Sequence, residues 1–130
     1  MTLAIFETCL YVTDLPSATR FYRDVMGLEL VREGESLMST FRCANSYLLL
    51  FNPEEARAAD RLAPSHGCRG EGHVAFHVEQ DELPVWRDRL ARHGVPIEKE
   101  VTWPRGGVSV YFRDPSGNIL ELAPASVWFS

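Results

Sequence analysis

The chain has 130 residues, 45% of them hydrophobic and 24% charged, which supports one compact domain with a core and excludes both a disordered chain and a large multidomain enzyme. Eighteen acidic against thirteen basic residues leave a net charge of -5, so the cationic surface that neutralises a phosphate backbone is missing and no nucleic-acid partner is expected. Three cysteines without CxxC spacing, no apolar run near the roughly 20 residues that span a bilayer, and an opening apolar run without a basic flank and interrupted by Glu7 lead to the expectation of a cytoplasmic protein with no disulfide framework, membrane segment or secretory signal.

Around residues 5–12, apolar and polar side chains alternate, with Phe6, Thr8, Leu10 and Val12 on one strand face and Glu7, Cys9 and Tyr11 on the other. A helix is expected over 15–26, capped by Asp14, begun by Pro16 and ended by Gly27. Its stripe of Ala18, Phe21, Tyr22 and Val25 is expected to pack on the face carrying Phe6, Leu10 and Val12. Strands over 28–33, 37–43 and 46–51 complete a βαβββ order. A polar, alanine-containing connector, 53–70, has room for a short helix. The order then begins again with a strand at 72–78, where His73, Ala75 and His77 oppose Val74, Phe76 and Val78. A helix over 81–93 follows, with Leu83, Trp86 and Leu90 on its stripe and Gly94 at its end, and strands near 95–100, 107–113 and 118–123 finish the pass.

The two passes align at four landmarks. Glu7 to His73 is 66 residues, Phe21 to Trp86 is 65, Gly27 to Gly94 is 67, and Leu48 to Leu120 is 72. A duplicated module follows, 4–52 and 71–124, within a single domain spanning 1–130. One helix with so little sheet does not close a core. The expected fold is therefore α+β, with paired βαβββ modules forming a curved mixed sheet around a cleft and helices on the outer face.

Glu7 and Glu121 sit inside apolar strand patterns, where an unpartnered carboxylate is expensive. With His73 they occupy the strand faces that look away from the helices, toward the expected cleft. Two carboxylates brought together repel unless a proton or cation lies between them. One imidazole and two carboxylates suit a single divalent ion, Mn, Fe, Ni, Co or Zn, with positions left for water or substrate. Alone, each would read as a rim glutamate or a hydrogen-bonded histidine; the three together make Glu7, His73 and Glu121 candidate metal ligands. His77 continues the His73 face roughly 6–7 Å further on, as a cleft base, a substrate donor or a packed imidazole. Cys9 and Tyr11 continue the Glu7 face, and the nearby acid disfavours a Cys9 thiolate. In the stretch 103–107, Trp103 offers an aromatic surface beside Arg105, whose fork can hold a carboxylate or phosphate; the bland reading is an ordinary connection with a solvent-facing arginine. The turn signals of 114–118 mark a hairpin that delivers Glu121.

The stretches ETCLYVTDLPSATRFYRDVMGLEL (7–30), GHVAFHV (72–78) and YFRDPSGNILEL (111–122) resemble the vicinal-oxygen-chelate superfamily, the glyoxalase, bleomycin-resistance and extradiol-dioxygenase group. That resemblance implies paired βαβββ modules, a homodimer, and metal ligands on the first strand of each module and the last of the second. Those places hold Glu7, His73 and Glu121, with Glu7 where His or Gln is more usual. Where glyoxalase I enzymes supply a fourth ligand, the repeat puts Leu49, which counts against that activity and leaves an apolar wall. The resemblance further implies a metal-dependent enzyme, lyase, isomerase or dioxygenase-like, acting on a small substrate with adjacent oxygens. Glu7, Glu121 and His77 are then candidates to move protons, and Trp103, Arg105, Leu49 and Tyr11 to contact substrate. A phosphonate thiol transferase fits less well, because its cluster of basic and potassium-binding residues is not evident. The alternative on the same fold is a metal-free, antibiotic-sequestering protein of bleomycin-resistance type, whose cleft encloses an aromatic or cationic drug.

Overall fold

The computed structural model describes residues 2, 4–58, 64, 66–68 and 71–128, in two compact units that divide between residues 70 and 71. In the first, β1 (Glu7–Tyr11) leads to α1 (Leu15–Arg20), which runs on as a π-helical turn over Phe21–Val25, then to β2 (Glu29–Gly34), β3 (Met38–Cys43), β4 (Ser46–Phe51) and the short α2 (Pro53–Ala56). The second holds β5 (His73–His77), a 3-10 turn over Gln80–Glu82, α3 (Leu83–Arg92), β6 (Lys99–Thr102), β7 (Val108–Arg113), β8 (Ile119–Ala123) and a closing 3-10 turn over Ala125–Val127. Each unit carries a four-stranded mixed sheet in the same order, β1-β4-β3-β2 and β5-β8-β7-β6. In both, the first and last strands pair in parallel and the remaining pairs are antiparallel. The chain is thus an α+β fold of two βαβββ modules. Residues 59–63, 65 and 69–70 of the expected connector lie outside the described residues.

Local chemistry explains these elements. Asp14 accepts from the Ser17 N–H at 3.3 Å, Pro16 fills the first turn of α1, and the helix lies on β3 and β4. Thr19 ties it down inside the core: its hydroxyl donates to the Leu15 carbonyl at 2.7 Å and meets Ser39 Oγ of β3 at 2.8 Å. Gly27 and Gly94 end the two helices at φ of 71° and 70°, the left-handed conformation that glycine adopts without a Cβ penalty. The first core gathers Leu10, Val12, Tyr22, Phe41, Leu48 and Leu50; the second unit buries Leu83, Leu90, Val110, Phe112, Leu120 and Leu122.

Two expectations change. Phe6 does not enter the core beside Leu10 and Val12: it precedes β1, is 69% exposed, and packs edge-to-face on Tyr47 with ring centroids 5.5 Å apart. The strand expected near 95–100 begins instead at Lys99. Val95 is spent terminating α3, its N–H donating to the Leu90 carbonyl at 2.8 Å, and Pro96 has no N–H for a ladder.

Truncating the second unit's core should be costly. Leu120→Ala and Phe112→Ala are each expected to lower unfolding free energy by about 3–5 kcal/mol in urea titrations, through lost burial and the cavity left behind. Val85→Ala, at an exposed position of α3, should change it by less than about 0.5 kcal/mol.

Candidate functional site

The turn between β7 and β8 sets the site. Asp114 Oδ1 accepts from the N–H groups of Ser116 and Asn118, both at 2.9 Å, and its Oδ2 accepts from the Asn118 amide at 2.9 Å. The Asn118 side-chain oxygen then accepts from the Gly72 N–H at 2.8 Å, so the buried Asn118 fastens the start of β5 to the start of β8. Arg113 reinforces the same corner through Glu71 at 2.6 Å, Glu98 at 2.7 Å and the Gly117 carbonyl at 3.0 Å. In the resulting register His73 lies beside Ile119 and Ala75 beside Glu121.

Leu120 and Leu122 point into the core and Glu121 to the other face, where it is nevertheless only 8% exposed. His73 shares that face. Its Nδ1 lies 2.8 Å from the Ile119 carbonyl, an oxygen that only accepts, so Nδ1 carries the proton. The ring so oriented turns Nε2 toward Glu121 Oε1, 3.3 Å away. Two electron-rich atoms at that spacing need a cation or a proton between them. Tyr111 of β7, the cross-strand partner of Glu121, stacks on His73 with centroids 6.3 Å apart and an interplanar angle of 22°. Burial, followed by the Glu121 charge and its hydrogen bond with the phenol, pushes the Tyr111 hydroxyl above the usual tyrosine range.

These three residues form the polar end of a cavity of about 630 Å³ whose wall also includes Trp103, Arg105 and Trp128. The Trp103 indole N–H donates to the buried Ser109 hydroxyl at 2.8 Å, and Arg105 donates to the Trp128 carbonyl at 3.3 Å. Gly107 holds this rim against the closing turn: a Cβ there would stand 2.6 Å from Ser126 Oγ and 2.8 Å from a Pro124 carbon, and its φ is 88°. His77 lies outside this lining. It is exposed, 3.6 Å from Glu79 Oε1, and contributes to an adjoining cavity of about 330 Å³ that shares Ala75, Ala123 and Trp128 with the first.

The remaining expected site residues lie in the first unit. Glu7 pairs with Tyr47 on β1–β4 as His73 pairs with Ile119 on β5–β8. Its Oε2 is 4.0 Å from Cys9 Sγ, and burial, then the Glu7 charge, push the Cys9 thiol up. Leu49, the counterpart of Glu121, is buried with Phe51 and Ala56. Tyr11 packs against that cluster and its hydroxyl meets His66 Nδ1 at 2.6 Å. The structure therefore brings His73 and Glu121 together, and among the described residues no three His, Cys, Asp or Glu side chains gather as a metal cluster. Sequence reasoning misses Tyr111 and Trp128; the register that places residue 111 opposite Glu121 is the signal that finds the first.

A family model described as "Glyoxalase/Bleomycin resistance protein/Dioxygenase superfamily" matches residues 4–122. The metallothiol transferase FosB of Bacillus licheniformis is 29% identical over 127 residues, covering 97% of this chain and 78% of that protein. Biphenyl-2,3-diol 1,2-dioxygenase 3 of Rhodococcus globerulus is 29% identical over 119 residues, covering 87% of this chain and 58% of its own length. The crystal structure of a lactoylglutathione lyase from Agrobacterium tumefaciens superposes with a TM-score of 0.93 at 41% identity, over 98% of this chain and 97% of that one. These similar proteins are named for transfer, oxygenation and lyase reactions.

The raised Tyr111 hydroxyl yields a measurable titration. The folded state favours the neutral phenol, so its contribution to stability is present below the ordinary tyrosine value, about pH 10, and is lost as pH rises through the higher folded value. In ¹³C-tyrosine NMR, Tyr111 should titrate above a free tyrosine, and Glu121→Gln should bring it part of the way down, with burial holding the rest.

Proposed function

The chain belongs to the Glyoxalase/Bleomycin resistance protein/Dioxygenase superfamily, and on that premise we propose that it is a divalent-metal-dependent enzyme acting on a small substrate with adjacent oxygens. One observation carries the reading: the His73 Nδ1–H donates to the Ile119 carbonyl, which leaves Nε2 turned toward the Glu121 carboxylate 3.3 Å away. That donor pair fits a divalent cation, and the carbonyl on the far nitrogen is the kind of outer support that orients a ligating histidine. His73 and Glu121 would hold the ion with Glu7, the residue at the position of His73 in the first module. Leu49 offers no donor where the repeat pairs it with Glu121.

When bound, the ion supplies Lewis-acid stabilisation of negative charge developing on the substrate's oxygens. The chain's own groups do the rest. A carboxylate of Glu121 or Glu7 takes up or returns a proton beside those oxygens. The Tyr111 phenol, kept protonated by its surroundings, donates a hydrogen bond at the same end of the cavity. His77, beyond the lining, reaches substrate only through the adjoining cavity, as a donor or base at its far end. Trp103 and Arg105 orient the substrate body, whereas Leu49 and Tyr11, packed into the apolar cluster of the first module, offer it no wall. In this reading the protein acts as a cytoplasmic homodimer; no helix among the described residues is long and apolar enough to cross a membrane.

Calorimetry with Mn²⁺ on protein produced without a metal-binding tag should give near one-to-one stoichiometry. Glu121→Ala and His73→Ala should each weaken binding by more than about a hundredfold, the upper range for outer-shell losses, whereas Arg105→Ala should leave it intact. Equal affinity in wild type and Glu121→Ala would reject the coordination, and stoichiometric drug capture by metal-free protein without conversion would favour sequestration. Light scattering at micromolar concentration should return twice the chain mass.

A further inference from the structure

The cavity on the second sheet is uneven in its chemistry. Beyond the polar end at His73, Tyr111 and Glu121, its wall is mainly indole, proline, valine and alanine, and Arg105 is the cation among the described lining residues. Six other arginines, Arg23, Arg42, Arg57, Arg87, Arg92 and Arg113, are paired with carboxylates. Arg105 instead donates to the Trp128 backbone carbonyl and has no carboxylate partner among the described residues. A carbonyl occupies one of five guanidinium donors and, among the described residues, no carboxylate compensates the positive charge. In a chain of net charge -5, it is a cation facing the same cavity as the Glu121 carboxylate. The guanidinium fork matches a carboxylate. A dianion or a peptide bearing several charges would call for more cations than this wall offers.

The apolar part has a shape preference as well. Trp103 is held in place by its bond to Ser109, and Trp128 is 76% exposed, an unusual cost for so large an apolar ring. Flat indole faces favour flat ligands, which stack on them with little loss of ligand freedom. A volume of about 630 Å³ accommodates a one- or two-ring compound.

We propose that this cavity takes a flat aryl monoanion, with its ring against Trp103 and Trp128 and its carboxylate on Arg105. This is then the substrate class of the metal-dependent reaction, an inference that rests on the reading above and narrows it. Calorimetry with naphthalene-2-carboxylate, 2-naphthylmethanol and 2-naphthylmethylamine tests it on metal-stripped protein, since none of these probes carries the adjacent oxygens that would call on a metal. The carboxylate is expected to bind at least about tenfold more tightly than the alcohol or the amine. Arg105→Ala should cost the carboxylate about ten- to a hundredfold and leave the alcohol unchanged. Arg105→Lys should retain part of the preference, and Trp103→Ala should weaken all three probes together. Circular dichroism checks that each variant is folded. Equal binding of carboxylate and alcohol by wild type, no carboxylate binding, or an unchanged ratio in Arg105→Ala would overturn the proposal. The Mn²⁺ titration of the same preparations is scored separately. Anion preference without metal binding overturns the metal reading alone, and metal binding without anion preference overturns only the substrate class.

Discussion

Parallel pairing of the first and last strands of a module is the constraint from which the site follows. His73 and Glu121 are 48 positions apart in the chain, and nothing local joins them. A parallel pair cannot be closed by a tight hairpin. The intervening chain must therefore cross over through α3 and return through the antiparallel β6 and β7 before β8 can lie against β5. Asn118 then fixes the register by bonding the Gly72 N–H. A slip of one residue would turn Glu121 to the side of Leu120 and Leu122 and bring leucines to the cavity. An unpaired carboxylate among those leucines would cost several kcal/mol, so the position of the acid and the definition of the register enforce each other.

The same scaffold serves opposite ends in the two modules. On β1 and β4 the face that looks away from α1 carries Tyr11, Leu49 and Phe51, closed over by Ala56 of α2 and by His66, whose ring lies 4.5 Å from that of Phe51. The matching positions on β5 and β8 are His77, Glu121 and Ala123. Large apolar side chains fill the first face, and each contributes the roughly 1.5–3 kcal/mol typical of a buried hydrophobe. Small and polar side chains leave the second open. One module has kept the burial that stabilises a fold, and the other has exchanged it for a space in which a ligand fits.

Much of this was legible before any coordinates, because period-two alternation and repeated offsets depend on backbone geometry alone. Leu120 and Leu122 against Glu121, Val74 and Phe76 against His73, and the cap residues Asp14, Gly27 and Gly94 could be read in this way. The unread parts depend on interactions that alternation does not encode. Phe6 continues the β1 pattern but lies outside the strand, so its face carries no burial. Val95 and Ile97 alternate like strand residues, yet helix termination claims the Val95 N–H. Tyr111, flanked by Val110 and Phe112, looks like one more apolar strand position until its partner across the ladder is known. Trp128 follows the last strand, where no periodicity applies.

The turn joining β2 to β3 takes three residues, 35–37, and the corresponding turn between β6 and β7 takes five, 103–107. The longer turn carries Trp103 and Arg105 and forms the cavity rim. Even a doubling of loop length adds only about 0.6 kcal/mol of closure entropy, so two extra residues scarcely burden the sheet. Such a turn can change its residues without putting the strands on either side at risk. Gly107 marks the limit of that freedom, because a side chain there would strike Pro124 and Ser126. Substitutions that trade one ligand for another therefore belong at residues 103–105, while position 107 admits only glycine.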